Sequence, residues 1–391
     1  MRVLHVIPSL STTQGGPSTA VVRFAQAAAL YGAEVEIVSS DDDGPGRRLD
    51  VALGQRVAGP DGYPTVYFRK QTEFYKTSWP LRSWLRRHVA DYDIVHVHAL
   101  FSFSSIAAAH AARRVGVPYI VRPLGVLNRW GMANRRALLK TWSLRFIELP
   151  VLRGAAAIHY TSERERAEAA AAHPVIEDLK SDVIPIPVEP DKIGAPGAGP
   201  EEFCPGMSGR QMILFLSRFD PKKGIELLLE AFAQVGGEFH NCVLVIAGKG
   251  SEAYESRLRD LAAQLGIAGR VFWPGFVSGP QKAAAFGEAT IFVLPSYSEN
   301  FGIAAVEAMA AGVPVLLSDQ VAVADDVREA HAGRVVRCEA AAIATALREL
   351  LADPTGRSTL ARKGRDLVRD RYSLPEVGRK LIKLYESVMS K

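Results

Sequence analysis

Glu299 and Glu307 stand eight residues apart in SENFGIAAVEAMAAGVP, residues 298–314. Two carboxylates so placed raise the question of acid–base chemistry at one bond. Glycosidase pairs stand about 5–9.5 Å apart. Glu299 sits in a loop, and a helix is predicted over Phe301–Ala310, stopped at Gly312, with Glu307 on it. Eight helical residues cover about 12 Å, too far for an acid and a nucleophile at one bond but suited to gripping two ends of a nucleotide sugar. Between the two, the helix N-terminus offers N–H groups and a positive dipole end, a place for a diphosphate. A capped helix carrying one surface glutamate is the plain alternative, and these residues alone leave both open.

Two histidines, His96 and His98, are two apart on a predicted strand and so share a face. A metal pair needs further ligands, and the neighbouring sequence offers none; no metal site is expected. One of the two reads as a core histidine. His98, at the strand's carboxyl end, is the candidate to face an acceptor. Val126–Ile147 carries Arg129, Arg135, Arg136, Lys140 and Arg145 with Trp130 and Trp142 and no acidic residue. Basic and aromatic residues on a helix suit an anionic membrane surface; a solvated helix with two packing tryptophans is the alternative.

The elements that must position these residues are α/β. Val3–Ile7, a loop ending in Gly15-Gly16, an Ala-rich helix over Thr19–Tyr31 stopped by Gly32, and Glu34–Ser39 read as a βαβ opening, hence a parallel sheet. Further strands are predicted at Asp93–His98, Pro118–Val121, Ala155–Tyr160 and Val183–Val188. A Gly- and Pro-rich linker follows at 191–209. A second βα series then begins at Met212–Leu216 and continues through Val243–Ala247, Val271–Trp273, Ile291–Leu294 and Val313–Leu317. The domains are thus residues 1–190 and 210–372, two similar α/β units whose strand ends would face each other across a cleft. An amphipathic helix over 373–391, with Val377, Leu381, Leu384 and Val388 on one face, is expected to pack back on the first domain.

Composition fits a soluble enzyme of two domains: 391 residues, 48% hydrophobic and 23% charged. Net charge is +5, and residues 1–195, with 24 basic and 19 acidic side chains, hold all of it; an anionic partner is expected at that half. Three scattered cysteines give neither a disulfide framework nor a metal motif and point to a reducing compartment. The first residues are too short an apolar run for a signal peptide, and no run of 18 apolar residues exists. The expected location is cytoplasmic, with peripheral contact at the inner face of a membrane.

The 298–314 segment resembles the E-x7-E motif of the retaining glycosyltransferases of family 4, the glycosyl transferases group 1, and other positions agree in order from Val3 to about Tyr372. The resemblance implies a GT-B fold, two Rossmann-like domains facing across a cleft. It implies a metal-independent hexosyltransferase that moves a sugar from a nucleotide diphosphate donor to a glycan or lipid-linked acceptor in polysaccharide or glycoconjugate biosynthesis, with no cofactor beyond the donor and no nucleic-acid partner. In SRFDPKKG, residues 217–224, Arg218 and Lys223 match the family's phosphate-binding pair; a guanidinium fork and a point charge suit two phosphates. Gly15 and Gly16 match its glycine loop. Gly248 and Val277 match loops around ribose and base, with the Val277 backbone meeting the base. The amides of Phe301, Gly302 and Ile303 would meet the diphosphate and sugar, Glu307 the ribose hydroxyls and Glu299 a hydroxyl of the transferred sugar. Catalysis is thereby assigned to Glu299, Arg218 and Lys223.

The chain departs from the family in one telling place. Many relatives carry a histidine on the donor sugar after a first-domain strand. Here that stretch reads IVRPLG, residues 120–125, with Leu124 at that position. A leucine donates no hydrogen bond, so the role does not carry over. Arg122, two residues earlier, is the candidate to reach the sugar or acceptor, or else pairs with a carboxylate. Two rivals follow: a sugar-nucleotide epimerase of the same fold, which needs an acid or base near the sugar, and a non-catalytic nucleotide-sugar binding protein. A Rossmann dehydrogenase is disfavoured because no G-x-G-x-x-G follows the first strand.

Overall fold

A computed structural model describes residues 1–11, 15–128, 137–189, 207 and 209–390. The chain divides into two compact units, Met1–Pro187 with Leu374–Lys391, and Val188–Ser373. Apart from Met207 and Gly209, the linker expected at 191–209 lies outside the described residues.

The first unit is built on an eight-stranded sheet. Its strands are β1 (Arg2–Ser9), β2 (Glu34–Ser40), β3 (Arg56–Ala58), β4 (Pro64–Phe68), β5 (Ile94–His98), β6 (Tyr119–Arg122), β7 (Ala157–Tyr160) and β8 (Ser181–Val183), in the order β3-β4-β2-β1-β5-β6-β7-β8. All neighbours are parallel except β3 with β4. The inner strands are buried on both faces because helices cover both; Val3, Leu4, Val6, Ile94, Val95, Val97, Ile120 and Val121 are fully buried. The chain winds outward from β1 and returns to place β5 on its other side, so the topological switch point lies between β1 and β5. The helix Gly16–Ala29 is entered through Gly15, whose φ of 71° a side chain would resist. The C-terminal helix Leu374–Met389 buries the expected Val377, Leu381, Leu384 and Val388, plus Tyr385. At Gly378 a Cβ would stand 2.3 Å from the Ala27 carbonyl oxygen, so only glycine lets this helix lie against Gly16–Ala29.

Two sequence expectations are corrected. The strand expected at Val183–Val188 is β8, which ends at Val183; Pro185 and Pro187 lack the N–H groups a ladder needs. The helix expected from Phe301 begins at Ile303, because Gly302 at φ 96° breaks the helical path before it.

The second unit holds a six-stranded, wholly parallel sheet: β9 (Gln211–Leu216), β10 (Cys242–Ala247), β11 (Val271–Gly275), β12 (Ala289–Leu294), β13 (Val315–Ser318) and β14 (Gly333–Val336), ordered β11-β10-β9-β12-β13-β14. Its switch point falls between β9 and β12, and ligands of such sheets bind outside the carboxyl ends there. Among the described residues no helix is long and apolar enough to cross a membrane.

Candidate functional site

Arg218 and Lys223 follow β9, and Glu299 follows β12, so the three flank the switch point of the second sheet. The loop after β9 is folded by its own residues. Asp220 caps a 3-10 turn, Pro221–Lys223, by accepting from the Lys222 amide at 3.1 Å. Gly224 then takes φ 65° where a Cβ would stand 2.2 Å from the Pro295 carbonyl oxygen. That close approach, with Tyr297 N–H donating to Lys222 O at 2.7 Å, presses the lysine turn onto the end of β12. Lys223, nearly buried, is thereby salt-bridged to Glu299. Glu299 is anchored on its other side, its amide donating to Gln320 O at 3.2 Å and its carbonyl accepting from Ala322 N–H at 3.0 Å.

Electrostatics follow from this crowding. Burial opposes ionisation of Glu299, but the ion pair with Lys223 and the charges of Lys222 and Arg218 outweigh it, and its pKa is lowered. Glu299 is thus a carboxylate, able to accept hydrogen bonds and unsuited to donate a proton near neutrality. Lys222 was missed from sequence, although the Lys-Lys doublet was visible; burial lowers its pKa against the opposing pull of Glu299. Arg218 is exposed. Three cations around Glu299 leave a surplus of positive charge suited to a phosphate-bearing ligand.

The neighbouring loops hold the remaining predicted residues. Gly248 follows β10 at φ 147°, where a Cβ would stand 1.9 Å from the Ser217 carbonyl oxygen. Its amide donates to Gly275 O at 2.7 Å, and Phe219 N–H donates to Lys249 O at 2.8 Å. Gly248 therefore lets the 217–219 loop bearing Arg218 pack against the loop after β10. Val277 is buried, and Phe276 beside it is exposed. Phe301 is buried with its ring edge-on to Tyr372 at 5.7 Å, and it precedes the helix. The amides at the helix start begin at Ile303; the Gly302 side of this terminus has no side-chain cap, and the first helical amides lack intrahelical partners. Glu307 is buried on that helix, and Lys282 from the helix Gly279–Glu288 stands 2.7 Å from its Oε2. Lys282 carried no motif and was not singled out.

In the first unit, Gly15 and Gly16 start the helix at the switch point beside β1. Ser18 on that helix donates to Ser11 O at 2.8 Å, tying the start of the helix to the end of β1. His98 and Arg122 are paired in register on β5 and β6, yet neither opens to solvent. The expectation that one histidine is core and His98 faces an acceptor is corrected: both are fully buried. The sequence reading also found no further histidine nearby. His5 pairs with His96 across the parallel β1–β5 ladder, and His159 on β7 completes a cluster of four on one face.

The hydrogen bonds fix the tautomers. His159 Nε2 is 2.7 Å from Ile184 O, which can only accept, so Nε2 carries the proton. His159 Nδ1 then accepts from His96 Nε2 at 3.1 Å, and His96 Nδ1 accepts from the Tyr385 hydroxyl at 2.8 Å. In the second chain, Arg122 donates to His98 Nδ1 at 3.2 Å, and His98 Nε2 donates to His5 Nδ1 at 2.8 Å. His5 Nε2 is left without a partner among the described residues. Burial, reinforced by Arg122, lowers His5 and His159 to about 3, and burial drives His96 and His98 well below their ordinary value. Nitrogens of His5, His96 and His98 lie within 4.8 Å of one another, the spacing of a loose metal triad. Their rings are stacked or tilted on one another, with His96 and His98 centroids 4.3 Å apart. Both nitrogens of His96 and of His98 are engaged, so the three do not present three free lone pairs to one ion. Burial lowers Arg122 to about 10, leaving it cationic, and its guanidinium lies 4.9 Å over the Phe24 ring. Beyond Arg122, Leu124 adopts φ 63°. Glu165, also missed, holds that turn by accepting from Gly125 N–H at 2.6 Å and Thr161 N–H at 2.7 Å.

Of the basic and aromatic stretch, Arg129, Trp130, Arg135 and Arg136 lie outside the described residues. The rest forms the helix Ala137–Ser143, a π-helical turn Leu144–Glu148 and the helix Leu149–Arg153. Trp142 does not pack inward as a core tryptophan would. It is 66% exposed, with Leu139 at 60% and Phe146 at 53%.

Two family models match the chain: glycosyl transferases group 1 over residues 206–367, and the glycosyl transferase 4-like domain over residues 15–186. A phosphatidyl-myo-inositol mannosyltransferase of Mycobacterium leprae is 28% identical, covering 99% of this chain and 97% of that protein. A D-inositol 3-phosphate glycosyltransferase of Streptomyces coelicolor is 28% identical, covering 87% and 80%. Among solved structures, the sucrose-phosphate synthase of Thermosynechococcus elongatus superposes with a TM-score of 0.78 at 20% identity over 100% of this chain and 99% of that one. Anabaena HepE in complex with UDP and glucose gives 0.77 at 17% identity over 99% and 100%.

Proposed function

Because the chain belongs to the glycosyl transferases group 1 and has their GT-B fold, we propose that this glycosyltransferase moves a sugar from a nucleoside diphosphate sugar to a hydroxyl of a glycan or lipid-linked acceptor, with retention of configuration and without a metal ion. The observation that carries this is the surplus positive charge of Arg218, Lys222 and Lys223 around an ionised Glu299 at the switch point of the second sheet. A metal commonly offsets the charge that grows on a leaving diphosphate; here Arg218, Lys223 and the helix start at Ile303 are suited to do so. The leaving phosphate takes the proton of the entering hydroxyl, which attacks from the same face. Glu299 holds a hydroxyl of the transferred sugar and Glu307 the ribose. The names of the mannosyl- and glycosyltransferase relatives favour an inositol phosphate or phosphatidylinositol acceptor.

The test has two steps. Thermal-shift screening against UDP-, GDP- and ADP-sugars identifies the donor, since a ligand at 100 times its Kd adds about 2.7 kcal/mol of stability. With that donor and D-inositol 3-phosphate or phosphatidylinositol, transfer is expected to survive EDTA and to fall about 100-fold or more in Lys223→Ala, with the fold kept although loss of the Glu299 ion pair lowers the unfolding temperature. Unchanged turnover in that variant overturns the assignment. An isomerised donor would instead mark an epimerase, and binding without turnover a non-catalytic binding protein.

Contact with an anionic membrane is the companion proposal, favoured by the exposed Leu139, Trp142 and Phe146 beside Lys140 and Arg145. Co-sedimentation with phosphatidylglycerol vesicles at low salt is expected, and Trp142→Asp is expected to abolish it. Failure of the unmodified protein to sediment with them removes the proposal.

A further inference from the structure

Glu148 is a buried carboxyl that no motif announces. It ends the π-helical turn Leu144–Glu148 and has no exposure to solvent. Its Oε1 accepts from the Tyr75 hydroxyl at 3.2 Å and the Ser143 hydroxyl at 3.4 Å. The nearby Phe101 amide dipole favours the ionised carboxyl, and Oε2 has no hydrogen-bond partner among the described residues. The Tyr75 and Ser143 hydroxyls also meet each other; having one proton apiece, they share two protons among these three contacts. Tyr75 reaches further through its carbonyl, which accepts from Phe103 N–H at 2.8 Å.

These contacts join three separate pieces of chain: the loop after β4, the loop after β5 and the helical segment that follows β6. All three lie past the carboxyl ends of parallel strands of the first sheet, β5 and β6 being neighbours and β4 separated from β5 by β2 and β1. Tyr75, Lys76, Ala99 and Phe101 have φ of 53°, 52°, 119° and 54°. Non-glycine residues held in such conformations cost about 1–3 kcal/mol each, persist only where the surroundings over-determine them, and concentrate at ligand clamps. A π-helical turn is likewise rare and frequent at functional sites. A simple core tie would be served by a leucine, whereas an unpaired buried carboxyl is costly. The cost is visible in Glu148 itself, since burial pushes its pKa up to about 7.

We propose that Glu148 is a positioning residue that holds these three segments together as one rim, the rim that seats the acceptor. The inference rests on the transfer reading above for what the rim receives, and on this geometry for the rim itself. Glu148 acts through the hydroxyls of Tyr75 and Ser143, and Tyr75 in turn through its carbonyl on Phe103 N–H. Hydrogen bonds to an ionised carboxylate are about twice as strong as those to a neutral one, so the rim tightens as Glu148 loses its proton. Of the described groups acting on the carboxyl, only Tyr75 is titratable, and burial raises it to about 12, far from the window in question.

Two measurements on the full chain decide the matter. Amide hydrogen exchange is followed at 71–78, 99–103 and 139–147 at pH 6 and pH 8. In Glu148→Ala, exchange is expected to rise in all three segments together, with the Ile303–Ala311 helix unaffected; faster exchange in only one segment, or in none, overturns the rim. Steady-state transfer to phosphatidylinositol vesicles is expected to show the acceptor KM raised about tenfold in Glu148→Ala, equivalent to the loss of about 1.4 kcal/mol, with donor KM within about twofold. The wild-type acceptor KM should fall as pH rises through about 7. Glu148→Gln should keep the KM near the low-pH value and lose that inflection. Equal changes in donor and acceptor KM, or an inflection that survives in Glu148→Gln, overturn the positioning role. Should the wild type transfer to no tested acceptor, the transfer reading falls, while the exchange pattern still decides whether Glu148 holds the three loops.

Discussion

Lys282 Nζ stands 2.7 Å from Glu307 Oε2, and the glutamate is the buried partner of the two. The pair bridges the helices Gly279–Glu288 and Ile303–Ala311, so it orients the carboxylate assigned to the ribose as well as neutralising it.

Removing the lysine takes an ion partner from a buried carboxylate, a loss of about 3–5 kcal/mol for fully buried pairs and less here, because Lys282 retains some contact with water. Lys282→Met is therefore expected to lower the unfolding temperature and raise donor KM. Glu307→Gln in the same chain is expected to restore much of the stability without restoring donor affinity. The double-mutant cycle in stability should show a coupling of about 1–3 kcal/mol; an additive cycle would mean that the two side chains do not work as a pair.

Gly248 gives a second, steric prediction. Its φ of 147° and the 1.9 Å separation between a built Cβ and Ser217 O leave no room for alanine. Gly248→Ala is expected to displace the 217–219 loop that bears Arg218, raising the donor dissociation constant about tenfold or more. At Gly279, which also has positive φ, a Cβ meets nothing within 4 Å. Gly279→Ala thus carries the backbone strain without the clash and serves as the control. Equal donor affinities in the two variants would rule out close packing as the reason for Gly248.

Much of the second unit was legible because its site is local in sequence. Glu299 and Glu307 lie on one loop and helix, and Arg218 and Lys223 on one short turn, so spacing along the chain translates into spacing in the fold. The first unit was read less well because its site is assembled across strands. His5 is 91 residues from His96, and only the β1–β5 register makes them neighbours. Glu148 and Tyr75 meet through a loop and a helix that no periodicity links. The region between β2 and β5 went unassigned because the helix Trp79–His88 buries only Leu81 and Leu85, too sparse a pattern to count. Lys282 looked like any surface lysine until its partner on another helix was seen.

Arg122 separates stability from function. Its guanidinium is buried and cationic, its Nε has no partner among the described residues, and burial alone pulls its pKa down. Such a group is weak evidence for stability. Arg122→Met keeps the volume and removes the charge, so the unfolding temperature is expected to hold or rise. If Arg122 serves the sugar or acceptor, transfer falls about tenfold or more in the same variant. A marked loss of stability would instead identify it as a structural cation, and unchanged transfer would remove it from the site.

The neutral histidine cluster predicts how the first unit responds to acid. His5 and His159 have folded pKa values of about 3 against an ordinary 6.5, and burial also holds His96 and His98 well below that ordinary value. The unfolded chain therefore binds more protons than the folded one. The stabilising contribution is full above about 6.5 and is lost as pH falls toward 3, at a limiting rate of about 1.4 kcal/mol per pH unit per histidine. Glu148 works in the opposite sense. Its folded pKa is raised to about 7 from 4.5, so its contribution is full below 4.5 and is lost as pH rises to about 7. Between pH 6.5 and 4.5 four imidazoles oppose one carboxyl, and the imidazoles win. Denaturant unfolding across that window should show stability falling as pH drops, with the first unit failing before the second. Replacing His5 with leucine should make the slope shallower, and replacing Glu148 with glutamine should make it steeper. A flat profile from pH 6.5 to 4.5 in the unmodified chain would show that the four rings are not held neutral by the fold.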